Sequence, residues 1–265
     1  MPGDGEGRSY GRLAAPQVAE DLSEQSIICL PVGSLEQHGP HLPLNADTVI
    51  AERFAARLAT HVAGRYAGEL VIAPTARWYM ICADASNADA SGVIFQGKRR
   101  PSAESLAYVA PSLAVCEQHF QLGAEAGKLA EMFWPGDLAL LLPWRNPEDA
   151  ARHAAVGSPA LTTIAPGVLG ELAARAKVPI AATTANISGD AGPDDLGPAV
   201  TLEEVHAFLA ASGLTVSVIV DGGVCPAANH MTIVDCFTSE ARLVRTGLVH
   251  QRAVTAALGR KVRAS

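Results

Sequence analysis

Pro179-Ile180-Ala181-Ala182-Thr183-Thr184-Ala185-Asn186-Ile187-Ser188-Gly189 opens with an apolar run, Val178 to Ala182, that breaks into hydroxyls, one carboxamide and a glycine. A buried strand that ends at a polar site has this form. In an open α/β sheet, ligands bind just beyond the carboxyl ends of strands, so the segment reads as a candidate binding lip. A βα turn capped by Thr and Ser fits the local chemistry equally well. The company the segment keeps along the chain has to decide.

Upstream, Val168 to Ala176 reads as a helix leading into this strand, and downstream Leu202 to Ala211 reads as another. Further strands are expected at Leu70–Ala73, Leu138–Leu142 and Val216–Val220, with a closing hairpin from Met231–Asp235 and Ala241–Arg245. Asn87 to Phe95 has helical spacing, Ser112 to Phe133 carries one or two helices, and Asn146 to Pro159 is a polar, Ala-rich loop with a short helix. Strands alternating with helices give an α/β protein with a largely parallel or mixed sheet.

The 265 residues suffice for one large or two small domains, and 49% hydrophobic with 18% charged residues excludes a disordered chain. No apolar run approaches the ~20 residues of a membrane span. The N-terminus has no apolar signal-peptide core, so the expected location is the cytoplasm. Five scattered cysteines without a CxxC pair read as reduced, mostly buried thiols. A net charge of −7 does not mark a nucleic-acid binder, yet Lys98-Arg99-Arg100 is a basic knot.

Gly92-Val93-Ile94-Phe95-Gln96-Gly97-Lys98 has phosphate-loop spacing, but Arg99 stands where a magnesium-binding Ser or Thr belongs. Its Val-Ile-Phe centre asks for burial. The segment therefore reads as a helix that delivers Lys98 and Arg100 to its end, a point charge and a guanidinium fork suited to an oligophosphate. A solvated basic turn is the competing reading. His61, His119, His153, His206 and His250 pair with no nucleophile and read as surface or core residues, while His230 borders Met231-Thr232. No nucleophile elbow or Cys-His pattern is present.

From about Gly68 to Val249, two thirds of the chain, an ordered series of segments resembles the YrdC-like threonylcarbamoyl-AMP synthase domain. The series is Gly68-Glu69-Leu70-Val71-Ile72-Ala73-Pro74-Thr75, Lys98-x-Arg100-Pro101, Phe133-Trp134-Pro135-Gly136-Asp137-Leu138, Thr184-Ala185-Asn186-Ile187-Ser188-Gly189, Asp221 to Pro226, Thr232 to Asp235 and Leu243 to Gly247. The resemblance implies a twisted mixed sheet with a concave ligand-binding face. It also implies a reaction in which an amino acid, bicarbonate and ATP with Mg2+ give a carbamoyl-amino-acid adenylate and pyrophosphate. By position, Lys98 and Arg100 would hold the triphosphate as catalytic residues. Thr184, Asn186 and Ser188 would bind nucleotide and phosphate oxygens, Thr232 and Arg245 would close the cleft, and Thr75 and Tyr79 would line the amino-acid pocket. tRNA or tRNA-modification proteins would be the partners downstream.

The chain departs from this family at Pro74-Thr75-Ala76-Arg77-Trp78-Tyr79-Met80-Ile81, where the pattern runs Pro-Thr-Asp/Glu-Thr-x-Tyr-Gly-Leu. Thr162-Thr163-Ile164-Ala165 replaces an Arg-x-Pro segment, Met231 a serine and Thr246 a proline. These changes fall on the small-substrate side, so altered amino-acid specificity or lost activity is expected, the latter leaving a non-catalytic nucleotide- or RNA-binding homologue.

Leu30 to Thr48 resembles the first metal-binding segment of creatininase-type amidohydrolases, in which Glu36, His38 and Asp47 would be ligands for Zn2+ or Mn2+. That family's later ligand run, of Gly-His-Gly-Gly-Asn type, is missing. The alternatives are a metal-dependent amidohydrolase and a polar loop held by its own hydrogen bonds. The expected organisation is an N-terminal strand-loop-helix extension over 1–66, a nucleotide-binding and catalytic domain over 67–250, and a C-terminal tail over 251–265.

Overall fold

The computed structural model describes residues 70–100, 104–176, 178–188, 197–226 and 229–263. Glu36, His38 and Asp47, with the whole expected extension 1–66, lie outside the described residues. In chain order the elements are β1 (Val71–Pro74), β2 (Tyr79–Asp84), α1 (Ala88–Gly97), β3 (Ala107–Val109), α2 (Leu113–His119), α3 (Ala124–Phe133), β4 (Leu138–Leu142) and α4 (Pro147–Arg152). There follow β5 (Ala160–Thr163), α5 (Gly167–Arg175), β6 (Ile180–Thr184), α6 (Leu202–Ser212), β7 (Val218–Ile219), β8 (Thr232–Asp235), β9 (Arg242–Arg245) and α7 (Gln251–Leu258).

Among the described residues the strands form one mixed sheet in the order β7-β1-β2-β6-β3-β5-β4-β8-β9. The expected closing hairpin is the antiparallel β8–β9 pair. Strand β6 is antiparallel to both its neighbours, with Met80 opposite Thr184 on one side and Val109 opposite Ile180 on the other. The strand-end rule for open parallel sheets therefore does not explain a site at Thr184. What meets there is the carboxyl end of β6, the amino end of β2 and the carboxyl end of α1.

Alternation along the strands divides the core between the two sheet faces. Val71, Ala73, Met80, Cys82, Ile180 and Ala182 pack under Val168, Leu169, Leu172 and Ala173 of α5. Ile72, Tyr79, Ile81, Ala83 and Ala181 belong to the larger cluster on the other face, with Ile94, Leu129, Val205 and Phe208. Strand β2 was not foreseen, because Tyr79-Met80-Ile81-Cys82-Ala83 is buried on both faces and shows no period of two. The short β3 and β5 escaped for want of length.

Three local devices set helix positions. Asn87 caps α1 by accepting from Ala90 N at 3.0 Å. Thr201 and Glu204 form a reciprocal capping box on α6. Helix α7 occupies part of the expected tail: Val254, Leu258 and Val262 are buried, and Glu125 of α3 accepts from Arg260 and from Ala241 N. Cys82, Cys116 and Cys236 are free and buried, in line with the expectation of reduced thiols, and Cys225 is buried too.

Three buried aliphatic side chains contribute at least about 4 kcal/mol by apolar burial. Deletion of residues 251–265 should therefore lower the urea midpoint markedly. An unchanged midpoint would show that this helix is no part of the core.

Candidate functional site

The Lys98-x-Arg100 spacing has a backbone cause. Helix α1 ends with Arg99 N donating to Gln96 O at 3.0 Å and Arg100 N to Phe95 O at 2.9 Å, the double closure of a Schellman motif. Its left-handed residue is Arg99, φ 52°, where glycine is usual. Gly97 is needed just before it, since a Cβ there would lie 2.5 Å from the Leu214 side chain. The phosphate-loop reading fails accordingly, because Gly92 to Gly97 lie within α1.

Lys98 turns inward and is fully buried. Its ammonium donates to Thr184 O at 2.6 Å, to Asn186 Oδ1 at 3.1 Å and to Asn186 O, and it lies 5.6 Å from the Phe208 ring centroid. Thr184 Oγ1 donates to Asn186 Oδ1 at 2.5 Å, Asn186 Nδ2 donates to Ile187 O, and Ser188 N donates to Lys98 O at 2.8 Å. One lysine thus holds the carboxyl end of β6 against the end of α1 through side chain and backbone together. Burial pulls its pKa down to about 7, and Arg100 pushes the same way. The three oxygens that accept from Nζ work in the other direction. Arg100 lies along its own loop, bonded to Glu104 O and Ser105 O and paired with the Glu104 carboxylate at 3.3 Å.

The turn between β1 and β2 lies beside this clasp, since Ala185 N donates to Tyr79 O at 3.0 Å. Thr75 Oγ1 donates to Trp78 O at 2.7 Å and accepts from the Arg77 and Trp78 amides, so it shapes the turn. Tyr79 is fully buried, its hydroxyl donating to Gly223 O at 2.8 Å and accepting from Gly222 N at 3.1 Å. Thr232 is also buried, donating to Val249 O and accepting from Gly247 N. Arg245 is exposed, with Nε bonded to Met231 O at 3.2 Å.

A second group was not anticipated. Arg77 is buried and ion-paired with Asp137, 60 residues away, and its guanidinium stands 5.8 Å from the Trp78 ring centroid. Trp78 packs on His230 with centroids 4.8 Å apart. Burial, then Arg245, lowers the Arg77 pKa, while burial, Arg245 and Arg77 in turn lower that of His230. The altered turn therefore places the Arg77–Asp137 ion pair and the buried Trp78 beside the clasp. Its pairing to Asp137 is tertiary and leaves no sequence signal. Among the described residues, no group of three His, Cys, Asp or Glu side chains is placed to hold a metal.

The family model for Sua5, YciO and YrdC proteins, described as telomere recombination, matches residues 65–247. The chain belongs to this family. It is 30% identical over 198 residues to the threonylcarbamoyl-AMP synthase of Bacillus subtilis, covering 72% of this chain and 53% of that protein. The chain thus spans about half the length of this curated relative. Pyrococcus abyssi Sua5 complexed with L-threonine superposes with a TM-score of 0.64 at 25% identity, over 82% of this chain and 59% of that one. Membership of the Sua5–YciO–YrdC family fits the mixed α/β sheet.

A creatinine amidohydrolase model matches residues 11–98. Over 55 residues the chain is 55% identical to the mycofactocin precursor peptide peptidase of Mycobacterium ulcerans, 21% of this chain and 22% of that protein. Residues 70–98, which both likenesses include, form β1, β2 and α1 of the Sua5-type sheet. No described helix is long and apolar enough to cross a membrane.

Lys98→Met would remove a buried donor from three oxygens; Asn186 Oδ1 keeps Thr184 Oγ1 and Thr184 O keeps Asn186 N, so Asn186 O is left unsatisfied, at about 1–3 kcal/mol for such a group. The variant should be destabilised by about 1–3 kcal/mol in urea titration, and a neutral result would contradict the clasp. Because the folded-state pKa of Lys98 lies below the unfolded 10.5, the unfolded chain holds a proton that the folded chain releases between about pH 7 and 10.5. Wild-type stability should rise through that window relative to Lys98→Met.

Proposed function

We propose that this chain binds ATP at the Lys98 clasp and forms a carbamoyl-amino-acid adenylate. An amine and bicarbonate condense to a carbamate with loss of water. A carbamate oxygen then attacks the α-phosphorus and pyrophosphate leaves with its bond electrons. Positioning and charge stabilisation carry most of such chemistry, so little covalent help is asked of the protein. The observation that carries the reading is the joining of Lys98 to Thr184 and Asn186 at the end of β6, one turn of chain from Arg100. Arg100, held by two carbonyls and one exposed carboxylate, is the group free to swing onto a phosphate. Thr184 and Ser188 supply hydroxyls, and Mg2+ would arrive with the nucleotide. The adenylate would then pass to tRNA or its modification proteins.

Acceptor specificity differs from that of a threonine enzyme in this reading. Where the family pattern has a carboxylate and a hydroxyl, this chain has Ala76 and Arg77, and the buried Arg77–Asp137 pair and Trp78 occupy the wall. Thr75 and Tyr79 support that wall from behind, while Arg245 stands at its rim. The same filled wall favours a second reading, a nucleotide-binding homologue without turnover. An N-terminal amidohydrolase centred on Glu36, His38 and Asp47 is a third, and it requires one tightly bound Zn2+ or Mn2+ per chain.

The assay is pyrophosphate release from ATP with bicarbonate and each amino acid in turn. Expected are bicarbonate-dependent release with an acceptor other than L-threonine and a loss of about 100-fold in kcat/KM for Arg100→Ala. No release with any acceptor would overturn the enzymatic reading. ATP binding by calorimetry in that case would support the non-catalytic one.

A further inference from the structure

A cavity of about 350 Å3 lies at the opposite end of β6 from the clasp, between the carboxyl end of β3, the carboxyl end of α5 and helices α2 and α4. Five strand residues separate the two places, roughly 15 Å at 3.3 Å per residue. Its volume is at the low end of the range for small-molecule sites.

The two walls differ in chemistry. One is apolar, built from Val109, Ala173, Ala176, Val178 and Ile180. The other presents Tyr108, His119, His153 and Arg152. Asp149 organises this polar wall: its carboxylate lies 3.5 Å from His119 Nδ1 and 3.5 Å from Arg152 Nη1, and its backbone carbonyl is 2.8 Å from His153 Nδ1. Only a donor at Nδ1 suits a carbonyl, which leaves Nε2 of the neutral His153 ring as an acceptor. The His153 ring is fixed by stacking on Trp144, centroids 5.3 Å apart and 12° between planes, and Tyr108 meets it edge-on at 6.1 Å.

One polar atom here, His119 Nδ1, lacks the partner that a buried group normally has, and a hydroxyl lies beside it. Tyr108 is 1% exposed, yet its hydroxyl bonds to none of the described residues. Burial pushes the Tyr108 pKa up to about 12, so the hydroxyl stays a neutral donor. Arg152 and the Tyr108 hydroxyl are the donors this wall offers to an anionic oxygen, and a wholly apolar molecule would leave that hydroxyl unpaired.

We propose that this cavity is a second ligand site, for a small monocarboxylate on an aromatic or branched apolar body. The body lies against Val109, Val178 and Ile180. The carboxylate accepts from Tyr108 Oη and from the Arg152 guanidinium, on the wall that His119 and His153 complete. The two histidines, which in sequence have no nucleophile beside them, acquire a role only through the fold.

Calorimetric titration of the whole chain with benzoate and 3-phenylpropionate tests the site, with benzyl alcohol as the uncharged body and acetate as the bodiless charge. Saturable binding of the aryl carboxylates with Kd of about 1 mM or tighter is expected, and at least tenfold weaker binding of both controls. Tyr108→Phe, which keeps the ring, and Ala176→Phe, which fills the cavity from its rim, should each weaken benzoate at least tenfold while keeping a cooperative thermal transition. Absence of saturable aryl carboxylate binding, equal binding of benzyl alcohol, or unchanged affinity in both variants would overturn the proposal.

Discussion

The structure turns on a lysine ammonium buried among oxygens. Moving a charge from water into a protein interior costs several kcal/mol unless it is matched by well-placed partners. Lys98 meets that condition with Thr184 O, Asn186 O and Asn186 Oδ1, and returns the favour by accepting from Ser188 N through its own carbonyl. The ends of α1 and β6 are therefore not independent. The Schellman closure at Arg99, the bare Gly97 against Leu214 and the Thr184–Asn186 bond all serve one junction. A cleft edge for phosphate oxygens depends on that junction being rigid, since electrostatic stabilisation works best when donors need no reorganisation.

Across the sheet edge, the β1–β2 turn has taken a different course. Its hydroxyl Thr75 holds the turn shape, and its guanidinium Arg77 is drawn in by Asp137 beneath Trp78 and His230. In the proposed reading, replacing a carboxylate and a hydroxyl by Ala76 and an ion-paired Arg77 beside Trp78 would change which small molecule sits there and leave the phosphate side as it is. In that reading, nucleotide binding and acceptor choice can thus diverge within one fold, because they would depend on different elements, joined by the β2–β6 pairing.

Much of the frame was legible from local pattern. The helical spacing of Asn87 to Phe95 announced α1, the apolar Leu138–Leu142 announced β4, and Val168 to Ala176 announced α5 within a residue at each end. Strand β2 was hidden because both its faces are buried, which erases alternation, and its Met, Cys and Ala carry little strand preference. At the site, resemblance to a family singled out Lys98, Thr184 and Asn186, but neither it nor spacing reported the bonds that join them. The bonds that absorb Tyr79 and Thr232 into the framework join residues 144 and 15 positions apart, and no local signal reports such pairs. The Arg77–Asp137 pair and the His119–Asp149–His153 group were invisible for the same reason.

Hydrogen–deuterium exchange with and without ATP and Mg2+ tests most directly whether the Lys98 clasp is the nucleotide edge. The clasp account predicts that nucleotide slows exchange in peptides covering residues 94–100 and 182–188, and that Lys98→Met abolishes the effect in both. Protection confined to other segments, or none at saturating nucleotide, would contradict it.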